Sequence, residues 1–219
     1  MNRLEGKVAL VSGTARGQGR AAALRFASEG ALVVGGDLLH EEAVQTQRLI
    51  AREGGTALTP GPLDVTDEES VRSWTEEAVD AFGGVDIVYA NAGAVRFGAI
   101  DGRPYEDFGF TMRAELDSVR LTVRAAWPHL VASRGCVLTA GPTGTLTGLI
   151  PLTGQLAAQG APYGIRAVCV GPGMNDTDGP RSDVAEGAVF LASDEAAYIT
   201  GANLVVGGDW SAVLPGATT

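Results

Sequence analysis

The chain has 219 residues, 45% of them hydrophobic, enough for one domain (1–219) with a core of its own. Its net charge of −10 excludes the basic surface that nucleic acids and anionic membranes select. No run of about 18 apolar residues is present and residues 1–13 lack a secretory apolar stretch, so no membrane partner and a cytoplasmic location are expected.

In chain order, residues 7–13 (KVALVSG) form a short apolar run ending at a glycine and predict a buried strand. Residues 20–30 follow with helical spacing. Residues 31–37 predict the second strand and 41–55 the second helix, and residues 56–65 hold the third strand. A third helix over 67–84 opens with acidic residues, where the helix dipole favours them. The fourth strand covers 85–93, a long helix 105–133, and the fifth strand 135–141. A helix from 151 to 159, with Pro151 in its first turn and Gly160 as its cap, leads to a sixth strand at 165–173. A helix over 183–193 and a strand over 203–208 complete the order. This alternation predicts an α/β fold: a doubly wound parallel sheet of Rossmann type, about seven strands with helices on both faces. Cys136 and Cys169 lie in apolar runs and read as reduced core thiols, and no metal-ligand set is expected.

The first chemical motif is SGTARGQG, residues 12–19, where strand one turns into a helix. Gly13, Gly17 and Gly19 let the backbone approach a pyrophosphate, and the positive helix N-terminus faces that charge. Arg16 and Gln18 lie in the same turn; Arg16 either contacts a phosphate or is a surface charge. Asp37 ends strand two, where a carboxylate accepts hydrogen bonds from an adenosine ribose. The same carboxylate repels a 2′-phosphate, so NAD is favoured over NADP.

Five motifs fall in order: SGTARGQG, LDV (63–65), YANAG (89–93), GPG (171–173) with Thr177 beyond it, and FLASDEAAYITGANLVVGGDW (190–210). Together they resemble the short-chain dehydrogenase/reductase family almost from end to end. The resemblance implies that Asp64 and Val65 meet the adenine and that Asn91, Ala92 and Gly93 line the coenzyme beyond strand four. Pro172, Gly173 and Thr177 would hold the nicotinamide end. It also implies a small-molecule substrate, hydride transfer between alcohols and ketones, and homodimers or homotetramers.

The same family catalyses with a tyrosine, a lysine four residues on, a serine after strand five and an asparagine in the fourth helix. A phenol titrates near 10 and serves at neutral pH only beside a cation. Here the one lysine is Lys7, and the residues four beyond Tyr89, Tyr105, Tyr163 and Tyr198 are Gly93, Gly109, Ala167 and Ala202. The serine position holds Gly141 or Pro142, and the asparagine position holds Glu115. The family pattern is skipped between Gly144 and Leu149 and again after Thr177, where a substrate lid would follow. Substitute candidates are Thr139, Thr143, Thr145, Glu115, Asp117 and His129. The alternatives are an oxidoreductase with unusual proton chemistry, an NAD-binding protein without turnover, and a protein whose residues at these two places are missing from the sequence, by omission or by deliberate deletion.

Overall fold

The computed structural model describes residues 2–96, 101–102, 104–141, 148–172 and 181–207, with backbone alone for 181 and 182. Seven strands form one parallel sheet: β1 (Val8–Ser12), β2 (Leu32–Gly36), β3 (Thr56–Leu58), β4 (Ile87–Ala90), β5 (Cys136–Ala140), β6 (Arg166–Pro172) and β7 (Asn203–Val206). Their order is β3-β2-β1-β4-β5-β6-β7, as expected of a doubly wound fold. Register is continuous across the centre, with Leu10 opposite both Val34 and Val88, and Val88 opposite Val137.

The helices are α1 (Gly17–Ser28), α2 (His40–Arg52), α3 (Glu68–Phe82), α4 (Tyr105–Met112), α5 (Ser118–Ser133), α6 (Leu149–Gly160) and α7 (Arg181–Ala192). Two-residue periodicity in the strands divides their side chains between two cores. Ala9, Val11, Ile87, Tyr89, Leu138, Val168 and Val170 pack toward α1 and α7. Val8, Leu10, Val88, Ala90, Val137, Ala167 and Cys169 pack on the other face with residues of α3, α5 and α6. Both faces are covered, which explains why the strands read as unbroken apolar runs. Truncating a fully buried residue such as Leu10 would cost about 2–5 kcal/mol.

Local chemistry sets the boundaries. The Asp67 side chain caps α3 by accepting from the Ser70 N–H at 2.9 Å. Within residues 56–65 the third strand stops at Leu58, because Pro60 and Pro62 cannot continue a ladder. The long helix over 105–133 is divided: a π-helical turn, Arg113–Asp117, separates α4 from α5. The shortened connection after β5 does close in parallel, with Pro151 in the first turn of α6. Gly160, expected to cap that helix, is instead its last helical residue. A 3-10 turn, Ala161–Tyr163, follows, and Gly164 at φ 77° is the left-handed cap.

An ion network fastens the N-terminal segment to the α1–α7 face. Glu29, its side chain 2% exposed, accepts from Arg3 at 2.7 Å and Arg25 at 2.6 Å, and both arginines also reach Glu186. Burial pushes the Glu29 carboxyl up, but the hydrogen bonds from Arg3 and Arg25 outweigh it and bring it down to about 2.

Candidate coenzyme site

Strand order reverses between β1 and β4, so the connections after these strands diverge and leave a crevice beyond their C-terminal ends. The turn after β1 lies at this crevice. Gly13 and Gly17 adopt φ 79° and 64°, which side chains resist. Gly19 is needed for a different reason: a Cβ there would stand 2.1 Å from the Gly13 carbonyl oxygen and 2.5 Å from Asn91 Nδ2. The first turn of α1 is thus pressed against the end of β1.

The second strand supports the same turn. The Gly36 carbonyl accepts from the N–H groups of Gly13 (2.7 Å) and Thr14 (3.3 Å). Asp37 accepts from the Ala15 N–H at 3.0 Å through one carboxylate oxygen and from the Leu39 N–H at 3.0 Å through the other. Each oxygen retains a lone pair for a further hydrogen bond. Helix α1 itself has no side-chain cap; Arg16 occupies its N-cap position in extended backbone, with its side chain exposed. Its first N–H groups therefore await an acceptor, and an anion would supply one. Gln18 lies half-buried in the same turn.

The fourth strand closes the other side. The Ser12 hydroxyl, which spacing alone did not single out, accepts from the N–H groups of Asn91 (3.0 Å) and Ala92 (2.9 Å). Asn91 returns the contact by donating from Nδ2 to the Ser12 carbonyl at 3.0 Å. The Asn91 side chain thus braces the glycine turn. The available signal was a serine at the end of an otherwise apolar strand. Asp64 folds back on its own chain, accepting from the Thr66 N–H and hydroxyl, while Val65 is buried beside it. Leu63 donates its N–H to the Asp37 carbonyl, which brings this segment to the end of β2. Pro172 ends β6 on the same edge of the sheet; Gly173, Thr177, Thr143 and Thr145 lie outside the described residues.

The proposed proton donors and acceptors fare unequally. Thr139 is fully buried and its hydroxyl shares a 2.8 Å hydrogen bond with Thr153, so it turns into the core and away from any substrate. Asp117 is half-exposed and bonded to Arg120 at 2.8 Å. His129 lies near the C-terminal end of α5, whose Ser133 hydroxyl bonds the Val85 carbonyl where β4 begins, at the opposite edge of the sheet. Gly141 has no room for a side chain, since a Cβ would meet Leu149 Cδ2 at 2.7 Å. Lys7 precedes β1 and pairs with Asp194 at 3.3 Å, again at the wrong edge. Tyr89 is buried against Phe26, and that burial pushes its phenol up. Glu115 differs from all of these: its carboxyl adjoins Gly93, just beyond β4.

A family model described as enoyl-(acyl carrier protein) reductase matches residues 13–182. A 2,5-dichloro-2,5-cyclohexadiene-1,4-diol dehydrogenase from Sphingobium indicum is 34% identical, covering 96% of this chain and 98% of its own. That alignment runs over 249 positions, 30 more than the 219 residues of this chain, so the relative carries residues without a counterpart in it. A trans-4-hydroxycyclohexanecarboxylate dehydrogenase from Sinomonas cyclohexanicum is 31% identical over 94% of this chain and 93% of its own. Among solved structures, a short-chain type dehydrogenase/reductase from Mycobacterium marinum superposes with a TM-score of 0.87 at 28% identity, covering 94% of this chain and 95% of the other. The switch-point crevice, the glycine turn and these relatives lead to one conclusion: the chain belongs to the short-chain dehydrogenase/reductase family.

Proposed function

We propose that this protein is an oxidoreductase that binds NAD at the β1–β4 crevice and transfers hydride between it and a ring-borne secondary alcohol or its ketone. The observation that carries the coenzyme assignment is the Cβ-free cradle of Gly13 and Gly19, with the Asp37 carboxylate fixed beside it on the Ala15 N–H. In this reading the α1 N-terminus takes the pyrophosphate. Asp37 takes the adenosine ribose and repels a 2′-phosphate, which selects NAD over NADP; Arg16, at the same turn, is the opposing influence. Asp64 and Val65 border the adenine, and Ala92, Gly93 and Pro172 face the nicotinamide half, to which the family resemblance also assigns Gly173 and Thr177, outside the described residues. When bound, NAD supplies the hydride acceptor. The substrate class follows from the two relatives above, whose names state a cyclohexadiene diol and a hydroxycyclohexane carboxylate.

A second reading, coenzyme binding without turnover, rests on Lys7, which pairs with Asp194 at the far edge of the sheet and stands four residues beyond no tyrosine in the sequence. Thermal unfolding separates the coenzyme assignment from both. NAD at 100 times its dissociation constant should add about 2.7 kcal/mol to native stability, with a smaller rise for NADP. No rise with either coenzyme would end the assignment. Absorbance at the nicotinamide band with cyclohexanol and cyclohexanone then distinguishes enzyme from binder.

A further inference from the structure

Two carboxyl side chains among the described residues are more than nine-tenths buried, Glu29 and Glu115. Glu29 has two arginines. Glu115, 8% exposed, has no hydrogen bond or ion pair with any described residue. A buried carboxyl without a partner is costly to ionise, and such groups concentrate where chemistry needs them.

Its placement is specific. Glu115 sits at the middle of the π turn Arg113–Asp117, a local widening that departs from the α-helical repeat and is frequent at functional sites. There its Oε1 stands 2.2 Å from where a Gly93 Cβ would be. Gly93 is exposed and lies three residues past Ala90, which pairs with Thr139 of β5. The carboxyl therefore adjoins the rim of the crevice, where only a glycine leaves it room.

Among the described residues no charge offsets it. Arg113 lies back along α4 beside Gly109, and Asp117 is paired with Arg120. Arg96, in the loop after β4, is held by Asp107 at 2.9 Å and stacks over Phe110. On α3, Glu68 pairs with Arg124, and Glu69 and Glu76 pair with Arg72. The ends of β4 and β5 contribute no charged group. Burial alone pushes the Glu115 carboxyl above its ordinary range.

Resting on the NAD reading above, we propose that Glu115 is the catalytic acid–base of this chain, exchanging a proton with the substrate oxygen in place of a phenol. In the oxidation direction the hydroxyl proton passes to the Glu115 carboxylate. The carbon's hydride, with its electron pair, passes to the nicotinamide ring, and the C–O bond becomes a carbonyl. Glu115 then returns the proton to water. Reduction reverses each step.

The test uses the full chain, Glu115→Gln and Glu115→Asp. Calorimetry with NAD reports coenzyme binding. Infrared spectroscopy of the coenzyme-free protein reports the protonated carboxyl band, assigned by difference against Glu115→Gln. Turnover of cyclohexanol and trans-1,4-cyclohexanediol is followed against pH. A carboxyl band should persist above the ordinary carboxylate range and vanish in Glu115→Gln. Oxidation should rise with pH as Glu115 ionises. In Glu115→Gln it should fall by about 100-fold or more and lose this dependence, with NAD affinity within about threefold of the parent. Glu115→Asp should recover part of the rate. Absence of the band, turnover that survives Glu115→Gln, or NAD binding with no turnover of either alcohol by the parent would overturn the role of Glu115. Failure of NAD to bind would instead overturn the coenzyme reading, and this proposal with it.

Discussion

Replacing Gly19 by alanine tests the coenzyme cradle at its tightest point. The added methyl would lie 2.1 Å from the Gly13 carbonyl oxygen and 2.7 Å from its carbon, both backbone atoms. No rotamer relieves contact with a backbone, so α1 must retreat by roughly 1 Å, and overpacking of this kind costs about 1–3 kcal/mol. The upper end applies here, because Asn91 Nδ2 lies 2.5 Å from the same methyl and braces Ser12. For a chain of this length about 3 kcal/mol lowers the melting temperature by about 6–12 °C. The retreat also opens the approach of the α1 N-terminus to a pyrophosphate, and losing only 1.4 kcal/mol of binding weakens NAD about tenfold. Scanning calorimetry and NAD titration measure the two effects. Gly61→Ala is the control: nothing lies within 4 Å of its Cβ position, so stability should change by no more than about 0.5 kcal/mol. Parental melting and parental NAD affinity in Gly19→Ala would refute the close-packed cradle.

Two further predictions address what holds the site and the fold. Ser12→Ala leaves the Asn91 and Ala92 N–H groups without their acceptor at a buried position; urea unfolding should show a loss of about 1–3 kcal/mol, and NAD affinity should fall as well. Glu29 titrates lower when folded, at about 2 against 4.5, so its contribution is complete above about 4.5 and is lost as pH falls toward 2. The shift corresponds to about 3 kcal/mol at most. Glu29→Gln should therefore be less stable than the parent at pH 7, and the difference should narrow steadily in urea titrations taken down to pH 2.

Much of the framework was legible because burial on two faces leaves a simple trace. Val8, Leu10 and Val88 belong to one core and Ala9, Val11 and Ile87 to the other, so the runs that contain them read as central strands of a parallel sheet. The glycine turn and Asp37 were legible because backbone approach and a strand-ending carboxylate constrain residue type. Pro60 and Pro62 carried the signal that shortened β3. What the pattern hid depends on contacts between distant segments. Nothing in residues 105–133 marks a π turn, since a one-residue widening leaves the apolar spacing almost unchanged. The family resemblance gave Asn91 a coenzyme-lining role and could not show that its amide also donates to the Ser12 carbonyl, 79 positions away. Thr139 looked like an accessible hydroxyl because alternation does not show that Thr153 of α6 meets it.

The contact between Gly141 and Leu149 limits how this chain can be redesigned. Leu149, 1% exposed, fills the volume beyond β5 into which a hydroxyl at position 141 would have to project. Grafting a serine there would meet an aliphatic plug, and shaving the plug to alanine would leave a hole under the first turn of α6. A reconstruction must therefore lengthen the β5–α6 linker first, so that Leu149 moves outward, and install side-chain chemistry afterwards. Point substitutions made in the reverse order should yield unstable proteins before they yield faster ones.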